Sequence, residues 1–138
     1  MKAPIAALAA ALLTTAAAYA QSYPGDPGVG VQRGMEQLNN SGQVGTATLF
    51  RLGTSTRVIV ELHGVEPGRT QSVRVYRGSS CDDLAPKPQY FLKDLRLGRS
   101  SSIVTAPEET LLSGNYNVVV FSSTQSGARS TSCGHLYT

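Results

Sequence analysis

The chain has 138 residues, a charged fraction of 15% and a formal net charge of +3. A balance this weak gives no ground for a nucleic-acid partner, which would call for a basic patch or stripe. Low charge with abundant Gly, Ser and Thr suits short strands and tight turns better than long helices, so the expected class is all-β.

The first twenty residues read as a secretory signal. Lys2 supplies a small positive n-region, Ala6 to Ala18 an apolar stretch, and Ala18-Tyr19-Ala20 a small-x-small cleavage site. A membrane anchor is the competing reading. The apolar run is short of the roughly 20 residues that span a bilayer, and a polar Pro/Gly-rich segment follows it. Cleavage leaves about 118 residues, room for one core and one domain, in a periplasmic or secreted protein without a transmembrane anchor. Removing Lys2 lowers the net charge to about +2. Nine arginines against three lysines hint at contacts, because a guanidinium plane stacks and forks where an ammonium cannot.

Residues 21–40 hold Pro24, Pro27, Gly25, Gly28, Gly30 and Gly34 with few apolar side chains. They read as a flexible N-terminal arm that cannot bury enough surface to order itself. From Val44 the pattern alternates. Residues 44–52 and 57–63 flank Gly53-Thr-Ser-Thr56 as two antiparallel strands and their turn, with Val58, Val60 and Leu62 on the core face. A turn at residues 64–68 leads into a strand over 71–77, where Val73 and Val75 face one way and Arg74 and Tyr76 the other. A long loop is expected from Gly78 through Cys81, Pro86 and Pro88. Strands follow at 101–105, 116–121 and 132–137. The one helical signal is residues 105–114, with capping-box spacing from Thr105 to Glu108 and Gly114 as terminator.

Cys81 and Cys133 are the only cysteines, and in an exported chain they are expected to form a disulfide. A redox-active pair is the alternative, but the close C-x-x-C spacing is missing.

Asn40-Ser-Gly-Gln-Val-Gly-Thr-Ala-Thr-Leu49, Thr56-Arg-Val-Ile-Val-Glu-Leu62, Val75-Tyr-Arg-Gly-Ser-Ser-Cys81, Leu111-Leu-Ser-Gly-Asn-Tyr-Asn-Val-Val-Val120 and Ser132-Cys-Gly-His-Leu136 follow one another in an order that resembles the copper/zinc superoxide dismutase-like family. The resemblance spans residues 41–138. It implies a Greek-key β-sandwich or flattened barrel with one short helical turn, and a disulfide from the loop after the metal strand to the last strand. It also implies that Arg74 and Tyr76 stand where the family's enzymes carry a His-x-His pair, and Phe121 where a further copper-binding histidine lies. Arg129 is one residue off the place of the family's substrate-guiding arginine.

With only His63 and His135 in the chain, the family's ligand set cannot be assembled. A redox copper site needs several imidazoles on one face, and a permanently cationic Arg74 would repel a metal ion. The expectation is therefore a protein with no cofactor, no bound metal and no dismutase activity. If the family's geometry holds, Arg74, Tyr76 and Phe121 lie together, either as a space-filling plug at a former metal site or as a contact for a partner.

The remaining candidates have ordinary readings. His63 shares a face with Arg57 and Glu61 and reads as a surface histidine; His135 lies beside Cys133 in the last strand. Asp82-Asp83 lacks calcium-loop spacing, and Glu108-Glu109 suits a helix N-terminus by charge. Serines abound without a Gly-x-Ser-x-Gly elbow. Ser113-Gly114-Asn115-Tyr116 faintly resembles an element of periplasmic lysozyme inhibitors, one residue short. Asn39-Asn40-Ser41 is formally a glycosylation sequon. The leading expectation is a non-enzymatic binding or structural module of the cell envelope with an unknown macromolecular partner. A degenerate dismutase or copper/zinc-binding protein is the alternative, and an inhibitor of a cell-wall hydrolase, presenting Tyr116 or the cysteine loop, is the third.

Overall fold

A computed structural model describes residues 29–137, so the expected signal and residues 21–28 of the expected arm lie outside the described residues. The chain is all-β. Among the described residues the strands are β1 (Val31–Gln37), β2 (Val44–Leu52), β3 (Ser55–His63), β4 (Val73–Ser80), β5 (Asp83–Phe91), β6 (Arg99–Val104), β7 (Tyr116–Phe121) and β8 (Ser130–His135), with one helix, α1 (Glu108–Ser113). All pair antiparallel in the order β5-β4-β7-β8-β1-β2-β3-β6, a curled sheet shaped as a half-barrel. The connections from β3 to β4 and from β6 to β7 cross between its halves. No helix among the described residues is long and apolar enough to cross a membrane.

Period-two alternation sets which side chains line the concavity. Val58, Val60 and Leu62 of β3, Val73 and Val75 of β4, and Val118 and Val120 of β7 are buried in one core with Leu49, Leu95, Leu111 and Leu136. The branched side chains suit the pleated surface, and their burial drives the sheet to curl around them. At one end the core turns polar. Gln71, fully buried, donates from Nε2 to Gln43 Oε1 at 2.9 Å and to Phe121 O at 2.8 Å.

The open side of the half-barrel is stitched by side chains. Ser102 Oγ accepts from Lys93 N–H at 2.7 Å and Ser100 Oγ donates to Lys93 O at 2.6 Å. Two buried serines thus satisfy backbone groups that a ladder would otherwise pair.

Two strands arise where the sequence reading placed none. Val31–Gln37, inside the expected arm, pairs with β2 from Val31↔Leu49 to Met35↔Gly45 and with β8 at Glu36↔Cys133. Only Met35 of its side chains is fully buried, so ladder hydrogen bonds rather than apolar burial hold it, and composition carries little trace of that. Asp83–Phe91, inside the expected loop, is an edge strand with irregular register against β4. An edge is where Pro86 and Pro88 can sit without breaking a ladder on both sides.

The helix also differs from its sequence signal. It begins at Glu108 behind Pro107, with no side-chain cap bond from Thr105, and its two glutamates pair with Arg51 of β2 instead. Gly114 is not left-handed (φ −82°); a Cβ there would fall 2.5 Å from the Tyr116 ring, so close packing explains the glycine.

Candidate functional site

Register determines what shares the convex face of β4, β7 and β8. Arg74 lies opposite Val119 on one side and Phe91 on the other; Val119 lies opposite Cys133. One step along, Tyr76 lies opposite Asn117 and Asn117 opposite His135. Directly opposed residues in antiparallel strands point to the same side, so Phe91, Arg74, Val119 and Cys133 form a row across four strands.

The row has two layers. Tyr76, Val119 and Cys133 are buried as a second apolar cluster, with Leu38, Cys81, Leu84 and Phe121 packed against it. Above it Arg74 Cζ stands 5.4 Å from the ring centroids of both Phe91 and Phe121. The Tyr76 and Phe121 rings meet at 6.2 Å with a 58° tilt. The three residues singled out from sequence, Arg74, Tyr76 and Phe121, are therefore neighbours. The fourth member, Phe91, was missed because Pro86 and Pro88 hide the alternation of β5. Its ring is 71% exposed, which makes it the most open apolar group of the cluster.

Beneath lies the disulfide. Cys81 follows directly on β4 and is bonded to Cys133 of β8. It pins the β4–β5 turn to the last strand, on the face where the cluster sits. The chain matches no family model, no curated protein and no solved structure.

The other candidates do not join this cluster. His63 is exposed at the end of β3, and His135 sits on β8 with Nδ1 2.8 Å from Asn117 Oδ1. Among the described residues no group of three His, Cys, Asp or Glu side chains could hold a metal ion. Asp83 accepts from Ser79 Oγ at 2.7 Å within its own turn. Arg129 turns away, donating from Nη2 to Asn39 Oδ1 at 3.3 Å. Asn39 Nδ2 in turn donates to Ser130 O at 2.8 Å, so the sequon side chain is engaged.

Tyr116 is buried rather than presented. It lines a cleft of about 540 Å³ with Ser113, Gly114 and Asn115, but only 4% of it is accessible and Arg77 Cζ covers its ring at 5.5 Å. Tyr90 packs on its other neighbour side at 6.0 Å. Burial, reinforced by Tyr116, pushes the Tyr90 phenol above its ordinary value of 10.0.

Proposed function

We propose that the chain is an exported, non-enzymatic superoxide dismutase-like domain that serves the cell envelope as a binding module, with the convex face around Arg74 as its contact. The crossover connections and the disulfide from the segment after β4 to the last strand fit what that resemblance implies. On that resemblance Arg74, Tyr76 and Phe121 correspond to copper-ligand positions, where a permanent cation would disfavour a metal.

One observation carries a contact in preference to a mere plug. The buried layer of Tyr76, Val119 and Cys133 already fills the face, yet Phe91 adds a ring that is 71% exposed beside an arginine. Aromatic side chains and arginine are the types that dominate binding energy at interfaces.

The test uses oxidised mature protein purified without a histidine tag. Copper and zinc are quantified, superoxide dismutation is assayed, and an envelope fraction is passed over immobilised wild-type and Phe91→Ala protein. The expected result is substoichiometric metal, no dismutation, and a retained component that Phe91→Ala loses while staying folded. Stoichiometric copper with activity overturns the non-enzymatic reading. Retention that Phe91→Ala leaves intact overturns the choice of surface.

A further inference from the structure

Arg74 is restrained by rings and half-buried. β5 and β7 flank β4 on opposite sides, so the Phe91 and Phe121 rings restrain the guanidinium from both, each at 5.4 Å. Among the described residues, ion pairs engage Arg51, Arg69 and Arg99, and no carboxylate of these residues reaches Arg74. Its planar fork of N–H donors is therefore restrained, and among the described residues no protein group accepts from it.

A cleft of about 170 Å³ opens beside it, lined by Arg74, Phe121, Ser72, Ser123 and Gln125 together with a short stretch of the following loop, and no acidic side chain lines it. Ser123 Oγ accepts from Gln125 N–H at 3.2 Å, which leaves its hydroxyl proton to donate outward. An arginine, two serines and a glutamine, all capable of donating, thus line one small space. Its volume corresponds to roughly five or six waters at about 30 Å³ each, the size of a carboxyl group with a few carbons.

We infer that this cleft is a carboxylate-binding subsite, taking one small monoanionic carboxyl group of the partner in a bidentate fork on Arg74. The inference rests on the reading of this face as a contact. An arginine fork can take carboxylate or phosphate, but with Arg74 the one cationic residue lining the cleft, a single guanidinium balances a carboxylate and leaves a phosphate dianion with one charge uncompensated. The carboxyl can come from a peptide terminus or an acidic side chain, since the recognised chemistry is the same.

The test is a titration of ¹⁵N-labelled oxidised mature protein with N-acetylalanine, N-acetylalaninamide and inorganic phosphate. N-acetylalanine is expected to shift the Arg74 Nε–H and the Ser123 and Gln125 amides saturably, with Kd on the order of 1–10 mM. The amide is expected to leave them in place, and phosphate to bind more weakly than the acid. Arg74→Gln should weaken N-acetylalanine at least tenfold with the rest of the spectrum unchanged, and Arg74→Lys should weaken it too, since the charge stays but the fork is lost. Equal response to acid and amide, tighter binding of phosphate, or binding untouched by Arg74→Gln overturns the subsite. The acid–amide comparison needs no variant, so a folding defect cannot obscure the answer. An envelope component that Phe91→Ala loses but excess N-acetylalanine does not displace would sink the subsite and leave the binding module standing. If nothing is retained from the envelope, the module fails and the titration alone decides the subsite.

Discussion

Truncating the two layers of the convex face should cost very different amounts. Tyr76 is 9% exposed and packs with Val119 and Cys133, so Tyr76→Ala removes a buried ring and should destabilise by about 3 kcal/mol. Phe91 is 71% exposed; burying a whole Phe side chain is worth roughly 1.5–3 kcal/mol, and under a third of that is realised here. Adding about 0.5 kcal/mol for its stacking on Arg74 gives a cost near 1 kcal/mol for Phe91→Ala. At roughly 4–5 °C per kcal/mol for a domain of this size, the Tm should fall by about 12–15 °C for the first and about 5 °C for the second. Far-UV circular dichroism melts of the oxidised proteins, read with urea midpoints at unchanged m-value, measure both. Equal losses would refute the division into layers, because the exposed ring would then be as structural as the buried one.

Three further outcomes follow from other parts of the molecule. Replacing Cys81 and Cys133 together with Ser reopens a loop of 52 residues and should cost about 4 kcal/mol by loop entropy, enough to leave a marginal fold; an unchanged urea midpoint would refute it. Leu97 is 90% exposed and, with Gly98, forms a two-residue hairpin turn in which both residues have positive φ, 51° and 74°. Leu97→Asn should therefore stabilise by about 0.5–1 kcal/mol, since Asn tolerates that backbone and no packing is lost; a lower Tm would count against it. Tyr90 keeps its proton above its ordinary value of 10.0. From about pH 10 up to the raised native value the unfolded chain binds fewer protons there, so stability is intact below pH 10 and falls as pH rises through that window. Tyr90→Phe should flatten this decline in urea midpoints, and an identical slope would refute the assignment.

What could be read from the sequence depended on how each element is held. β3, β4 and β7 bury alternate branched side chains, so their pattern survives in the sequence as Val58, Val60 and Leu62, or Val73 and Val75. β1 and β5 do not. β1 buries only Met35 fully and leans on two neighbours for hydrogen bonds, while β5 carries Pro86 and Pro88 on an edge. Their existence depends on what lies beside them, and no local rule contains that information. The helix misled in a subtler way. Thr105 to Glu108 has the spacing of a capping box, but Arg51 from a strand more than fifty residues away takes both glutamates, and Thr105 makes no cap.

The convex-face cluster was legible only as far as a single strand can show. That Arg74 and Tyr76 share a face follows from period two alone, and that Phe121 joins them follows from the β4–β7 pairing. Phe91 needed the β4–β5 register, which the irregularities between Val75 and Ser80 shift by an irregular amount. Yet Phe91 is the residue that changes the chemistry. With Phe121 alone, Arg74 would be a surface arginine resting on one ring, free to rotate and well hydrated. A second ring from the opposite neighbour restrains the guanidinium and covers part of its hydration surface, while its donor edge stays open to a cleft without acidic residues. Much of the freedom that binding would cost Arg74 is then already restricted in the free protein, which favours recognition of a planar anion over simple attraction between charges.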